Sequence, residues 1–189
     1  MLDETAARWL LVLHTALGAA AVGAATHLVL WLRRYLRGQA ARRSVVRFAW
    51  IVLAFQISAF ACGNLMYPTY KVEVRAAYLE DASAVSAARD AHARELARIA
   101  GREHAEAPVP REDLVRDAAK AARWFDVKEH WIALGILVAA ALVLILSLWD
   151  PDRDSRVLAP IVTSLAVIVA GTLWLGAIIG VLTASWRAI

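Results

Sequence analysis

Four long apolar blocks alternate with polar segments along this chain. The blocks, residues 9–32, 48–66, 131–149 and 157–186, contain no Asp, Glu, Lys or Arg. A helix needs about 20 apolar residues to cross the hydrocarbon core of a bilayer, and it satisfies its own backbone hydrogen bonds there. The pattern therefore predicts an all-α, polytopic integral membrane protein, folded as a bundle of four transmembrane helices.

The one sizeable polar segment, residues 67–128, carries 11 basic and 11 acidic residues by count. From Tyr70 to Ile99 its apolar residues recur at helical spacing in an alanine-rich background, which predicts a helix. The segment Ala107–Pro110 should interrupt that helix. A second stripe then leads into the third block, and it consists of Leu114, Ala118, Ala122 and Phe125. These features predict a charged, extracytoplasmic helical hairpin between spans two and three.

The chain thus divides into three predicted parts. Residues 1–66 form a first transmembrane hairpin, residues 67–128 form the charged hairpin, and residues 129–189 form a second transmembrane hairpin. Small residues mark helix contact faces in lipid. They occur in span one as Gly18, Ala21, Gly23 and Ala25, and in span four as Gly171, Gly176 and Gly180. These faces predict packing within the bundle or against a second copy.

The direction of insertion follows from the turn between the first two spans. Residues 33–47 hold six arginines and no acid: Arg33, Arg34, Arg37, Arg42, Arg43 and Arg47. Basic loops stay on the cytoplasmic side, so both termini and the charged hairpin are expected outside. We expect a bacterial-type inner or plasma membrane. Tryptophans near the ends of the spans indicate the two membrane–water interfaces, with Trp9, Trp131 and Trp186 at one and Trp31, Trp50 and Trp149 at the other.

Composition agrees with this picture. The chain is 60% hydrophobic with a mean hydropathy of +0.53, which excludes an ordinary soluble domain. Its formal net charge of +4 is explained by orientation in a membrane and needs no nucleic acid. The single cysteine, Cys62, lies in an apolar block and is predicted to be a small, buried hydrophobic residue.

Histidines are the ionisable groups inside the spans, where such groups are costly and thus of functional interest. His14 and His27 both lie in span one, and His130 opens span three. His14 and His130 share the outer half of the predicted bundle. Two neutral imidazoles directed into a bundle can hold a haem b iron or a divalent metal. Cofactor binding by His14 and His130, with a quinone as electron partner, is therefore one hypothesis.

Charged and aromatic residues cluster where spans two and three reach the outer surface. A predicted polar pocket there is composed of Tyr67, Tyr70, Lys71, Glu73, Arg75, Asp126 and Lys128. Tyr67-Pro68 should bend the chain because proline lacks a backbone donor. The pocket suits an anionic headgroup, a quinone ring, or a metal on Glu129 and His130. The alternative is a collar of salt bridges that positions the hairpin.

Three classes of function stay open on the sequence alone. The first is a small redox subunit holding one haem b or metal near the outer leaflet. The second is a non-catalytic membrane subunit or assembly factor that docks a membrane protein partner through its hairpin. The third is a small transporter or lipid-binding protein. No phosphate-binding glycine loop, nucleophile elbow or HExxH motif occurs, and whether the chain is an enzyme is undecided.

Overall fold

A computed structural model describes residues 3–101, 111–151, 153–154 and 156–185. The described residues are helical and contain no strand. In chain order the elements are α1 (Glu4–Leu36), α2 (Arg42–Thr69), a π-helix (Tyr70–Leu79), α3 (Ala82–Ile99), α4 (Arg111–Leu148), a 3-10 turn (Arg156–Leu158) and α5 (Ala159–Ser185). The predicted all-α class is confirmed.

Four helical stretches are long and apolar enough to cross a membrane, which suggests an integral membrane protein. They are Thr5–Leu36, Arg42–Leu79, Arg116–Leu148 and Arg156–Ala184. Each contains one of the four predicted apolar blocks except for end residues: the third stretch stops one residue before Trp149, and the fourth stops two residues before Trp186, which lies outside the described residues. The helices continue past the blocks because a hydrogen-bonded helix does not stop where its side chains become charged. Helix α4, for example, runs for 38 residues, starting 20 residues before Trp131.

The chain forms two compact units, and each has its own core. The bundle unit comprises Leu2–Met66 and Lys128–Ile178, and the arm unit comprises Tyr67–Val127 with Ile179–Ile189. The core of the bundle unit is built from aliphatic side chains of α1, α2, α4 and α5. Its largest fully buried members include Leu28, Leu32, Val52, Leu142, Leu146 and Val162. Cys62 is buried as expected.

Small residues serve two different purposes in the bundle unit. Ala21 and Ala25 are buried, and a Cβ atom added to Gly176 would lie 2.6 Å from Ile132. These positions therefore provide close helix contacts within the chain, as predicted. Around Gly18, Gly23 and Gly171, in contrast, an added Cβ would meet no atom within 4 Å. These three glycines face outwards.

The arm unit has a small core of Leu79, Val85, Ala118 and Ala122. Two residues of the predicted stripe on α4, Ala118 and Ala122, are therefore buried in this core. The prediction of one helix from Tyr70 to Ile99 is wrong. The chain breaks at Glu80 and Asp81, where the Asp81 carboxylate accepts hydrogen bonds from the backbone N–H groups of Ser83 and Ala84. This N-cap starts α3 as a new helix.

The effect of Pro68 also differs from the prediction. Helix α2 passes through Pro68 without ending, and the hydrogen-bonding pattern changes two residues later. From Tyr70 to Leu79 the chain is a ten-residue π-helix, closed by a 2.9 Å bond from Glu80 N–H to Arg75 C=O. The predicted break at Ala107–Pro110 lies outside the described residues, and α4 begins directly after it at Arg111.

Candidate functional site

His14 joins α1 to α2 by a hydrogen bond to the backbone. Its Nδ1 donates to the Ala59 carbonyl at 2.8 Å. The ring lies against Gly63, where a Cβ atom would be 3.3 Å from His14 Cε1, so a glycine there makes room for the imidazole. Because Nδ1 carries the proton, Nε2 of the neutral ring is the nitrogen that can accept a hydrogen bond or ligate a metal.

Lys128, and not His130, is the residue of α4 on the side of His14. Lys128 is close enough to His14 for its charge to act on the imidazole. At 100° per residue, positions 128, 132 and 135 share the inward face of α4. His130 is exposed and lies about 160° from that face with exposed Leu134 and Leu137. The structure therefore does not bring the two predicted imidazoles onto facing sides.

A polar contact deep in the bundle unit links α2, α4 and α5. Gln56 is 1% exposed, and its Nε2 makes a long hydrogen bond of 3.5 Å to the Ile132 carbonyl. A Cβ atom at Gly135 would lie 2.5 Å from Thr172 Cγ2 and 2.9 Å from Gln56 Nε2. The Gln56 Oε1 atom is buried without a hydrogen-bond partner among the described residues. Gly135 thus lets three helices approach around one amide.

The predicted outer pocket is partly assembled, and its centre is Arg75. The Arg75 guanidinium donates to both oxygens of Asp126 at 2.9 and 3.0 Å and to Glu80 at 2.7 Å. The π-helix and α4 are thereby tied together by an ion pair in which one guanidinium nitrogen, Nη1, contacts both carboxylate oxygens. This geometry agrees with the alternative prediction of a salt-bridge collar, although Glu80 was not among the predicted residues.

Aromatic rings pack beside this ion pair in the arm unit. Tyr70 stacks on Phe125 with ring centroids 3.9 Å apart, and Tyr67 lies 6.5 Å from the same ring. The hydroxyl groups of Tyr70 and Thr69 are buried without partners among the described residues. Phe125 was predicted as part of the α4 stripe and not as part of the pocket. Its position one residue before Asp126 was the available signal.

The other predicted pocket residues differ in exposure and in the unit to which they belong. Lys71 and Glu73 are exposed. Lys128 and Glu129 belong to the bundle unit. Within the described ranges no group of three or more His, Cys, Asp or Glu side chains can hold a metal ion. The hypothesis of a metal on Glu129 and His130 thus has no third side-chain ligand in that part of the chain.

One arginine of the turn between α1 and α2 differs from the others in its contacts. Arg42 donates to the carbonyls of Leu146, Ser147 and Trp149 at 2.7–3.2 Å, capping the carboxyl end of α4. Trp149 is buried instead of exposed at the interface. The remaining arginines of the turn are exposed and have no carboxylate partner among the described residues: Arg33, Arg34, Arg37, Arg43 and Arg47.

An aromatic stack that the sequence analysis missed runs from this turn towards the middle of the bundle unit. The guanidinium of Arg34 lies 5.2 Å from the Trp31 ring, and Trp31 stacks on Phe48 at 6.1 Å. Phe48 stacks in turn on His27 at 6.2 Å. The spacing of Arg34, Trp31 and His27 on one helix was the available signal, but nothing in the sequence brings Phe48 between them.

Comparison with protein-family models, with curated proteins and with solved structures finds no match to this chain.

Proposed function

We propose that the protein is a non-catalytic membrane subunit: a four-helix anchor that docks a partner protein through α3 of the arm unit. The observation that carries this proposal is an apolar stripe on an otherwise charged helix. The proposal corresponds to the second class of function considered from the sequence.

The stripe on α3 is buried at one end and exposed at the other. Val85 is 2% exposed and packs on α4, whereas Leu96 is 53% and Ile99 is 71% exposed. These residues are 11 and 14 positions after Val85, which keeps them on the same face. Helix α3 is not among the stretches long and apolar enough to cross a membrane. A transmembrane position therefore does not account for its exposed apolar end, and we assign that end to contact with a protein surface.

The polar contacts described above fit a structural role. His14, Gln56 and Arg42 bind backbone carbonyls of neighbouring helices, and Arg75 binds two carboxylates. Groups engaged in this way hold helices in register. A rigid anchor that presents one helix face is what a docking subunit requires.

The test is site-specific photocrosslinking of the full-length protein in its native membrane. A photoreactive amino acid at Leu96 or Ile99 is expected to capture one and the same partner, while the exposed control position Ala91 on α3 captures none. The double variant Leu96→Glu/Ile99→Glu should lose that partner, and Ala87→Glu/Ala91→Glu should retain it. Crosslinks from Leu96 that end only on residues 102–115 of the same chain would refute the proposal.

The proposed orientation has the arginine-rich turn in the cytoplasm and the arm unit, with both termini, outside, in a plasma or bacterial inner membrane. Five exposed arginines at the turn support it. Single cysteines introduced as Arg37→Cys or Ala100→Cys into a Cys62→Ser background should react with an impermeant reagent on opposite sides. Labelling of both from one side would reject this topology.

A second candidate function is ligation of a haem iron by His14. It is supported by the hydrogen bond from Nδ1 to Ala59, because metal-binding imidazoles commonly donate their other nitrogen to a carbonyl. Purified protein is then expected to show a Soret band that is lost in His14→Ala and kept in His92→Ala. Colourless protein, or a band that survives His14→Ala, would exclude it.

A further inference from the structure

The α1–α2 face at the arginine-rich turn combines three features. Five exposed arginines surround the turn, a half-buried aromatic pair, Trp31 and Phe48, packs on the core below it, and the stack ends on the exposed imidazole of His27. We propose that this face is a binding site for an anionic glycerophospholipid of the adjacent leaflet, with its phosphate at the arginines and its ester region at His27.

No carboxylate in the described part of the chain pairs with the arginines of this face. These are Arg33, Arg34, Arg37, Arg43 and Arg47. The two described acids of the nearby α4–α5 turn are engaged in the turn itself, since Asp154 accepts from Asp150 N–H and Asp150 accepts from the Tyr35 hydroxyl. Each arginine near an anionic membrane surface raises affinity about fivefold, so several of them select anionic over zwitterionic headgroups.

The aromatic stack gives the site a defined position on the helices. Trp31 contacts both the Arg34 guanidinium and the Phe48 ring. Tryptophan and arginine together are typical of the boundary between headgroups and acyl chains. A guanidinium held on a ring has lost part of its freedom already, and it can bind a phosphate oxygen at a smaller entropic cost.

His27 extends the site into the membrane. It lies seven residues, or about 10 Å, from Arg34 along α1, close to the depth where the interfacial layer of a bilayer ends. Its Nδ1 is 3.3 Å from the Gly23 carbonyl, and the described residues supply no partner for Nε2. An exposed ionisable group at this depth is costly unless something binds it. The ester carbonyl of a bound lipid is an acceptor of suitable depth and chemistry.

Two variants of the full-length protein separate the two halves of this site. Arg34→Gln/Arg47→Gln removes positive charge that binds the anionic headgroup. His27→Leu removes a contact to the ester group, which all glycerophospholipids share. The first variant should therefore change lipid selectivity, and the second should change occupancy without changing selectivity.

The experiment is native mass spectrometry of protein in detergent with equal amounts of phosphatidylglycerol and phosphatidylcholine of identical acyl chains. The wild type is expected to prefer phosphatidylglycerol by about tenfold or more, and Arg34→Gln/Arg47→Gln to fall within about twofold of no preference. His27→Leu should lower total bound lipid about threefold with the preference kept. The control Arg94→Gln/Arg98→Gln removes the same charge from α3 and should leave both quantities unchanged.

Three results would overturn the proposal. Equal binding of the two lipids by the wild type is the first, and an equal loss of selectivity in the α3 control is the second. The third is a dimer that is present in the wild type and absent in His27→Leu. Such a dimer would show that the imidazole contacts a second copy of the chain and not a lipid. Far-UV circular dichroism and elution volume identical to the wild type establish that each variant is folded.

Discussion

The bundle unit and the arm unit hold their helices together with different chemistry. In the bundle unit, the side chains of His14 and Gln56 donate to backbone carbonyls, and the guanidinium of Arg42 does so at the helix ends. In the arm unit the principal tie is the guanidinium–carboxylate pair of Arg75 with Asp126. The described ties of the bundle unit thus end on neutral carbonyls, whereas that of the arm unit joins two charges.

Access to water explains the difference. An ion pair placed in hydrocarbon loses the hydration of both charges, and the attraction between them seldom compensates fully. An imidazole or amide loses far less, so it can join helices inside an apolar core. Where water reaches the side chains, charged pairs cost little and add little. Substitutions in the two units should therefore differ in magnitude and in their response to salt.

The largest effect is expected at Gly135 in the bundle unit. Gly135→Val adds atoms where a Cβ alone would already lie 2.5 Å from Thr172, so unfolding free energy should fall by about 3 kcal/mol. Gly171→Ala is the control, since its Cβ meets nothing within 4 Å and helix propensity improves. Titration with sodium dodecyl sulfate, followed by circular dichroism, measures both. Equal stability of Gly135→Val and the wild type would contradict the described packing.

A smaller loss is expected from Arg42→Gln. The variant removes a charged donor from three carbonyls at the end of α4, which should cost about 2 kcal/mol. The neighbouring Arg43 is exposed, so Arg43→Gln should change stability by less than about 0.5 kcal/mol. The same titration applies. Similar losses in both variants would mean that net charge, and not the cap, is responsible.

The principal tie of the arm unit should be weaker still. Arg75→Gln is expected to cost about 1 kcal/mol, because the Arg75 side chain is 24% and the Asp126 side chain 35% exposed. The cost should shrink at 1 M salt, whereas that of Arg42→Gln should not. Lys71→Gln is an exposed control on the same π-helix. A salt-independent loss at Arg75 would show that its pair is shielded from water.

The smallest effect concerns pH and the start of α3. Hydrogen bonds from the Ser83 hydroxyl, and then from the Ala84 and Ser83 N–H groups, lower the pKa of Asp81. A carboxylate with a lowered folded-state pKa stabilises the fold above its unfolded pKa of about 4 and loses this effect as pH falls through the folded value. Between pH 5 and 2, Asp81→Asn should therefore lose less helicity than the wild type, as measured by circular dichroism. An unchanged profile would contradict the cap.

The helices were predictable where apolar runs are long, and less so beyond them. The block 9–32 lies inside α1 and the block 131–149 lies inside α4 up to its last residue, but charged residues hide how far those helices continue towards their amino ends. The interruption at Asp81 carried a readable signal, an acidic residue with a serine two positions later. The π-helix carried no such signal, because no residue of Tyr70–Leu79 marks the change from α-helical to π-helical hydrogen bonding.

The candidate site was predictable in its residues and not in its pairings. His14 is conspicuous as an ionisable group in an apolar block, yet its partner is a backbone carbonyl, which any residue at position 59 would supply. His130 shares the predicted outer half of the bundle with His14 from its position in the chain. The direction of its side chain depends on which face of α4 is buried, and the uniformly apolar sequence of span three does not reveal that face.

The π-helix has a consequence for changes in chain length. Each i to i+5 hydrogen bond accommodates one residue more than an α-helical turn, so a single deletion within Tyr70–Leu79 can be absorbed by a return to the α-helical pattern. The same deletion in the first half of α4 would rotate Gly135 by about 100° relative to the residues before it. Natural insertions and deletions of one residue are therefore expected in the former stretch and not in the latter.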